Sequence, residues 1–421
     1  MKKIFLRLSS IASLCILMQS CVKDHLETTY TYFTPVYKNK TEVLQSIKSS
    51  TPQALKQTGK LFLLGRYLFV NEVNKGVHVI DNANPRSPKN IGFINIPGNV
   101  DIAVKNNTLY ADLFTDMVAI DISNPANAIL KKVITKVFPE KDYMNGYIVD
   151  SNRYIVDWVK HVTTDKKELE ADKSLGQPMM WFSSQSLSNS AADATTAGVG
   201  GSMARFTIVN NYLYTVGKAN LTAFNISNPE NPLMENTRSL GWNIETIYPL
   251  KDKLFIGSQT GMFIFSIANP ASPAPLGTFS HACFNDPVIA DDQYVYVTLR
   301  ATNTPNNCWG AVAAQRNELD IVNISNLLQP ALVKIYDMSG PLGLSKDGDY
   351  LFICDGNAGL KVYNASNVQD LKLVKTIANI KPFDVICQGG TAIVVAEEGI
   401  YQYDYNNINN VTMMSKISID K

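Results

Sequence analysis

Seven times along this chain a short apolar run ends in a polar turn that carries an asparagine and often one or two prolines. His78-Val79-Ile80-Asp81 leads to Asn84-Pro85, Val118-Ala119-Ile120-Asp121 to Asn124-Pro125, and Thr222-Ala223-Phe224-Asn225 to Asn228-Pro229. Phe263-Ile264-Phe265-Ser266 leads to Asn269-Pro270. Asp320-Ile321-Val322-Asn323, Lys361-Val362-Tyr363-Asn364 and Tyr401-Gln402-Tyr403-Asp404 run in the same way into Asn326, Asn367 and Asn407. The turn asparagines step from 84 to 124, 228 to 269, 326 to 367 and 367 to 407, a period of 40 or 41 residues. Within the second copy, Asp101-Ile102-Ala103-Val104, Leu109-Tyr110-Ala111-Asp112, residues 117–122 and residues 129–134 read as four short strands. Four strands in about 40 residues are the mark of a β-propeller blade, whereas helical repeats need a 3.6-residue period that these segments lack. An asparagine bonds its own backbone in an Asx-turn, and a proline fixes φ where no ladder donor is needed.

The irregular gaps matter as well. Asn124 to Asn228 spans 104 residues, one repeat of 41 plus 63 more. Within that surplus, Tyr147-Ile148-Val149-Asp150 and Tyr154-Ile155-Val156-Asp157 flank a Ser-Asn-Arg turn like the first two strands of a blade. The expectation is therefore an all-β chain folded as a single β-propeller of eight four-stranded blades, the degenerate one at roughly 143–203. A seven-bladed ring with a long insertion is the alternative. Asn269 to Asn326 also exceeds one repeat, and its excess lies near 300–316.

At the N-terminus, Lys2, Lys3 and Arg7 precede an apolar stretch from Leu8 to Met18, too short to span a bilayer and suited to a secretory signal. It ends in Leu17-Met18-Gln19-Ser20-Cys21, which resembles a bacterial lipobox, with the small Ser20 before the cysteine that is acylated. Bulky Leu14 makes Cys15 a poor rival. The chain thus divides into a signal peptide at 1–20, a lipidated tether and collar at 21–60, and a propeller at 61–421 with insertions near 161–203 and 300–316. Residues 22–40 show no clear period. A short amphipathic helix is expected to start at Thr41, capped by that residue, with Leu44 and Ile47 on one face.

The strand-turn phrases Val79-Ile80-Asp81, Ala119-Ile120-Asp121-Ile122-Ser123-Asn124-Pro125 and Phe224-Asn225-Ile226-Ser227-Asn228-Pro229 resemble the LVIVD repeat. That repeat occurs in predicted β-propeller lipoproteins of Bacteroidota and other bacteria. The resemblance implies a secreted or surface-anchored propeller and names no reaction, since a fold does not decide a function.

Candidate chemistry is sparse. With 18% charged residues and a net charge of +1, the chain has no basic stripe for nucleic acid. There is no Cys-x-x-Cys, no His-pair spacing for zinc, no Gly-x-Ser-x-Gly elbow and no phosphate-cradling glycine loop. No cofactor is expected. Four acidic residues, Asp101, Glu245, Asp286 and Asp384, fall at or near the start of innermost strands, which line a propeller's axis. They are candidates for a ligand or cation site, or for acceptors of a backbone N–H at a strand entry. Cys283 and Cys308 are expected to pair in an oxidising compartment, closing about 25 residues. Cys354 and Cys387 read as buried thiols inside strands. Trp181 and Trp309 sit on the inserted segments, as contacts for sugars or partners or as packing onto a neighbouring blade.

These features favour a membrane-anchored lipoprotein of the outer membrane, on its periplasmic or cell-surface side. Its propeller would be a non-catalytic platform whose partners are the membrane, through acyl chains, and envelope proteins or glycans. An exported enzyme acting on glycans or peptides, with carboxylates in the channel, is the alternative.

Overall fold

Strands with buried residues on both faces form when apolar runs are flanked by layers on either side, and here every repeat does this. The computed structural model describes residues 25–141, 151–168, 198–241, 243–281, 287–301 and 316–420. Seven antiparallel blades occupy 58–95, 102–134, 206–239, 244–280, 288–337, 344–377 and 382–418, and each runs outward from the axis in sequence order. First strands of successive blades face one another around the ring. In blade 2 the strands are Ile102–Lys105, Thr108–Leu113, Asp116–Asp121 and Ile129–Ile134, within a residue or so of the sequence reading. In all seven blades a register irregularity interrupts the pairing of third and fourth strands. Such a bulge adds twist and leaves the outer edge poorly suited to pairing with another chain.

In five of the seven repeats the apolar run ends in a double Asx-turn, and in the fourth Ser266 Oγ takes the first position. Asp81, Asp121, Asn225, Asn323, Asn364 and Asp404 each accept a backbone N–H two residues on, at 2.8–3.1 Å. Asn84, Asn124, Asn326, Asn367 and Asn407 then do the same, at 3.1–3.2 Å. The turn also serves the neighbouring blade. Tyr110 Oη donates to the Pro229 carbonyl at 3.0 Å, Tyr214 Oη to Pro270 at 2.9 Å and Tyr336 Oη to Val368 at 2.9 Å.

Among the described residues there are seven blades, the alternative to the expected eight. The expected eighth blade fails because Tyr154-Ile155-Val156-Asp157 belongs to a long strand, Arg153–Glu168, whose partner is the N-terminal strand His25–Asn39. Two strands cannot bury a blade's faces. Residues 142–150 and 169–197 lie outside the described residues. The chain separates into two compact units, 1–36 with 157–182, and 37–156 with 183–421. The described part of the first is a two-stranded ribbon; the second is the propeller with its collar.

Residues 25–39 form a strand where an irregular tether was expected. The helix Lys40–Gln45 follows, capped by Asn39 and not by Thr41: Asn39 Oδ1 accepts the Thr41 N–H at 2.8 Å. Val43 and Ile47 are buried, and Leu44 packs at the edge of the same core. Lys48–Ser50 then adds a fifth strand to the outer edge of blade 1, and Ser49 Oγ donates to the Pro125 carbonyl of blade 2 at 2.8 Å.

The ring closes between blades 1 and 7, each built from one contiguous stretch of chain. Leu61, Leu68, Val70 and Ile80 pack on Ile386, Ile393, Val395 and Ile400. Each such side chain, fully buried, is worth about 1.5–3 kcal/mol. Leu55 forms a parallel bridge with Ile419, and the Asp420 N–H reaches the Leu55 carbonyl at 2.8 Å. The amides of Asn82 and Gln402 exchange hydrogen bonds of 3.0 and 2.7 Å across the seam. Both are buried, so Gln402→Ala strands a dry amide and should lower stability by about 1–3 kcal/mol. In urea unfolding, Asn82→Ala/Gln402→Ala should cost less than the sum of the single changes; strict additivity would show that the pair does not couple.

Candidate functional site

The axis of the ring is filled by the chain itself. After the insertion, residues 198–205 return across the channel before entering blade 3. The Gly198 N–H donates to the Val104 carbonyl of blade 2 at 2.9 Å, and Val199–Gly200 pair with Leu63 and Phe62 on the axial side of blade 1. Ser202 Oγ accepts the Leu344 N–H of blade 6 at 2.7 Å. The Ala204 carbonyl accepts the Ile247 N–H of blade 4 at 3.0 Å. The Arg205 N–H reaches Asp101 Oδ2 of blade 2 at 2.7 Å. Gly198 is required by space: a Cβ there would lie 2.3 Å from the Phe62 ring. Residues 199–204 are all buried.

Charge collects around this crossing. Lys60, from the first strand of blade 1, is buried with its Nζ 3.6 Å from Asp101 Oδ2, and it donates to the Met203 carbonyl. Burial pulls the Lys60 ammonium down to about 8 against the upward pull of Asp101. Desolvation also raises Asp101, with Lys60 opposing. Asp101 Oδ1 accepts the Ile102 N–H at 2.9 Å, so this residue is both a strand-entry acceptor and the partner of an ammonium.

Asp384 of blade 7 joins them. Burial lifts its carboxyl to about 8, while the Val385 N–H, Lys60 and the Ser202 N–H pull it down and Asp101 pushes it up. Its Oδ1 is buried without a hydrogen-bond partner and lies where a Cβ at Gly343 would meet it, 2.3 Å away. One buried ammonium thus faces two buried carboxyls, and the second carboxyl keeps its proton at neutral pH.

The structure therefore brings Asp101 and Asp384 together and adds Lys60. Glu245 is buried in the first strand of blade 4 and accepts from Gln259 Nε2 at 2.9 Å. Asp286, Cys21, Cys283, Cys308, Trp181 and Trp309 lie outside the described residues. Cys354 and Cys387 are free and buried, as read from their strands. Among the described residues, no group of three or more His, Cys, Asp or Glu side chains is placed to hold a metal ion. Sequence reasoning passed over Lys60, although a lysine opening the apolar run Leu61-Phe62-Leu63-Leu64 is itself a sign of a buried charge. It passed over Ser202 as well, because nothing local marks a segment that will cross an axis.

A carboxyl raised from 3.8 to about 8 gives a stability term that is fully present below pH 4 and lost as pH rises towards 8. Asp384→Asn imitates the protonated form. The variant should match wild type below pH 4 and pull ahead of it as pH rises towards 8, by up to about 1.4 kcal/mol per pH unit. Thermal unfolding across this range checks the point: equal slopes for both proteins would mean that Asp384 is ionised in the fold.

The chain carries LVIVD repeats, matched at residues 57–95, 98–135, 200–237 and 311–338. These segments coincide with blades 1 to 3 and the outer half of blade 5. No curated protein matches the chain. Among solved structures, the periplasmic gluconolactonase of Pseudomonas aeruginosa superposes with a TM-score of 0.54 at 9% identity, covering 86% of this chain and 96% of that one. A protein from Lactobacillus plantarum gives 0.53 at 9% identity, covering 86% and 97%. The computationally designed Ika8 protein gives 0.50 at 10% identity, covering 88% and 92%. At such identities the likeness is one of fold.

Proposed function

We propose that this propeller is a lipid-anchored envelope protein that serves as a non-catalytic binding or scaffolding platform. The observation that supports a platform is the crossing of the channel by residues 198–205. The position where a propeller would hold a small ligand is taken by backbone, and its charges are turned on one another. The rims and inserted segments are then the surfaces left for partners, which we take to be envelope proteins or glycans. The anchor rests on Leu17-Met18-Gln19-Ser20-Cys21. Several acyl chains, at about 0.8 kcal/mol per buried CH₂, hold a protein on a bilayer. The outer membrane is the destination we favour, since Val22 and not an aspartate follows the cysteine.

One observation favours the second reading, an exported enzyme acting on glycans or peptides. Lys60 and Asp384 both sit near 8, and strongly perturbed pairs gather at functional sites. The gluconolactonase named above has an activity on this kind of fold. In that case Asp384→Asn would abolish turnover in a screen of lactones, glycans and peptides. On the platform reading no substrate of the panel turns over.

The anchor has its own test. Mass spectrometry of the membrane-purified chain should find acyl chains on Cys21, and Cys21→Ser should move the protein to the soluble fraction with an unchanged melting temperature. A Cys21→Ser protein that stays with membranes as fully as wild type would overturn the anchor.

A further inference from the structure

The ribbon of residues 25–36 and 157–168 carries aromatic and aliphatic side chains in the open. Thr29 and Thr164 share a hydrogen bond of 3.0 Å, and the rings of Tyr32 and His161 stack with centroids 4.8 Å apart, so these residues lie opposite each other on antiparallel strands. Tyr30, Tyr32, Thr34, Val159 and His161 therefore share one face, with Thr34 Oγ1 2.8 Å from His161 Nε2. Exposure is 45% for Tyr30, 44% for Tyr32 and 46% for Val159, and reaches 61% for Val162 on the opposite face. A two-stranded ribbon with rings and valines in water is a marginal structure unless something covers it.

The ribbon's place in the chain says what covers it. Its first residue, His25, stands four positions after Cys21. Four residues reach about 14 Å at most, so an acyl group at Cys21 keeps the start of the ribbon at the bilayer surface. Tyrosine suits that zone, with its ring among acyl chains and its hydroxyl among headgroups. The segments hold three lysines against four carboxylates, so the ribbon has no basic patch to recruit anionic lipid. We infer that the Tyr30–Tyr32–His161 face of this ribbon is a membrane-interface contact, which takes up the headgroup boundary of a bilayer regardless of its charge. The inference rests on the acyl anchor proposed above for its geometry. Tethering so close raises the effective concentration of bilayer at the ribbon, so a weak intrinsic affinity is enough.

The test uses the mature chain, residues 21–421, with Cys21→Ser, which removes the acyl group and makes the outcome independent of the anchor. Flotation with phosphatidylcholine vesicles, and with vesicles containing phosphatidylglycerol, should show weak binding at millimolar lipid that is equal for both compositions. Tyr30→Ser/Tyr32→Ser should reduce it at least fivefold with the melting temperature unchanged. Leu373→Ser, at a side chain of blade 6 that is 54% exposed, should leave it as it was. Three results overturn the proposal: no flotation of the parent protein, equal loss in Leu373→Ser, or a concentration-dependent dimer abolished by the tyrosine changes. The last would make a second copy of this chain the occupant. Acylation is read separately, from the mass of the Cys21 peptide.

Discussion

The propeller depends on a seam that no strand crosses as part of a blade. The four blade strands of blade 1 come from the start of the ring and those of blade 7 from its end; the Val199–Gly200 strand that joins the sheet of blade 1 comes from between blades 2 and 3, so neither closing blade lends a strand to the other. Closure rests on the packed aliphatic layer between the two blades, the Asn82–Gln402 amide pair and the bridge from Leu55 to Ile419. Burial supplies the attraction and is indifferent to register. The amide pair, which is satisfied only in one alignment, supplies the register. Each other blade needs only its two neighbours, but the first and last need each other, so the seam decides whether the ring is a ring.

The channel shows the same division between attraction and specification. A seven-bladed ring leaves space on its axis, and water or a ligand fills such space in many proteins. Here the return of the insertion fills it with backbone, and backbone brings N–H and carbonyl groups that must be paired. Blades 1, 2, 4 and 6 provide partners for residues 198–204, and Lys60 satisfies the Met203 carbonyl. A buried ammonium is costly, and Asp101 offsets that cost; Asp384 follows by remaining protonated. The electrostatics of the axis are thus a consequence of the plug. This is why the presence of perturbed groups does not by itself argue for catalysis, and why the exposed rims and ribbon carry the functional reading.

Much of the fold was written in local pattern. The period of 40 or 41, the four strands of blade 2 and the Asx-turns were legible because each rests on contacts between residues close in sequence. Buried Cys354 and Cys387 were legible for the same reason, as thiols inside apolar strands. Tyr154-Ile155-Val156-Asp157 misled because a strand looks the same whatever it pairs with. Its partner, His25–Asn39, lies more than a hundred residues away and has no apolar alternation to advertise it.

The carboxylates divide along the same line. Asp101 and Asp384 were picked out by their positions at strand entries, and both side chains are buried there. What the sequence by itself determined was repeat length, turn chemistry and the class of fold, all of them short-range properties of the chain. Tertiary structure alone decided the number of blades, the pairing of the ribbon, the crossing of the axis and the meeting of Lys60 with two carboxyls. Those outcomes depend on which surfaces remain to be covered once the blades exist, and no run of adjacent residues encodes that.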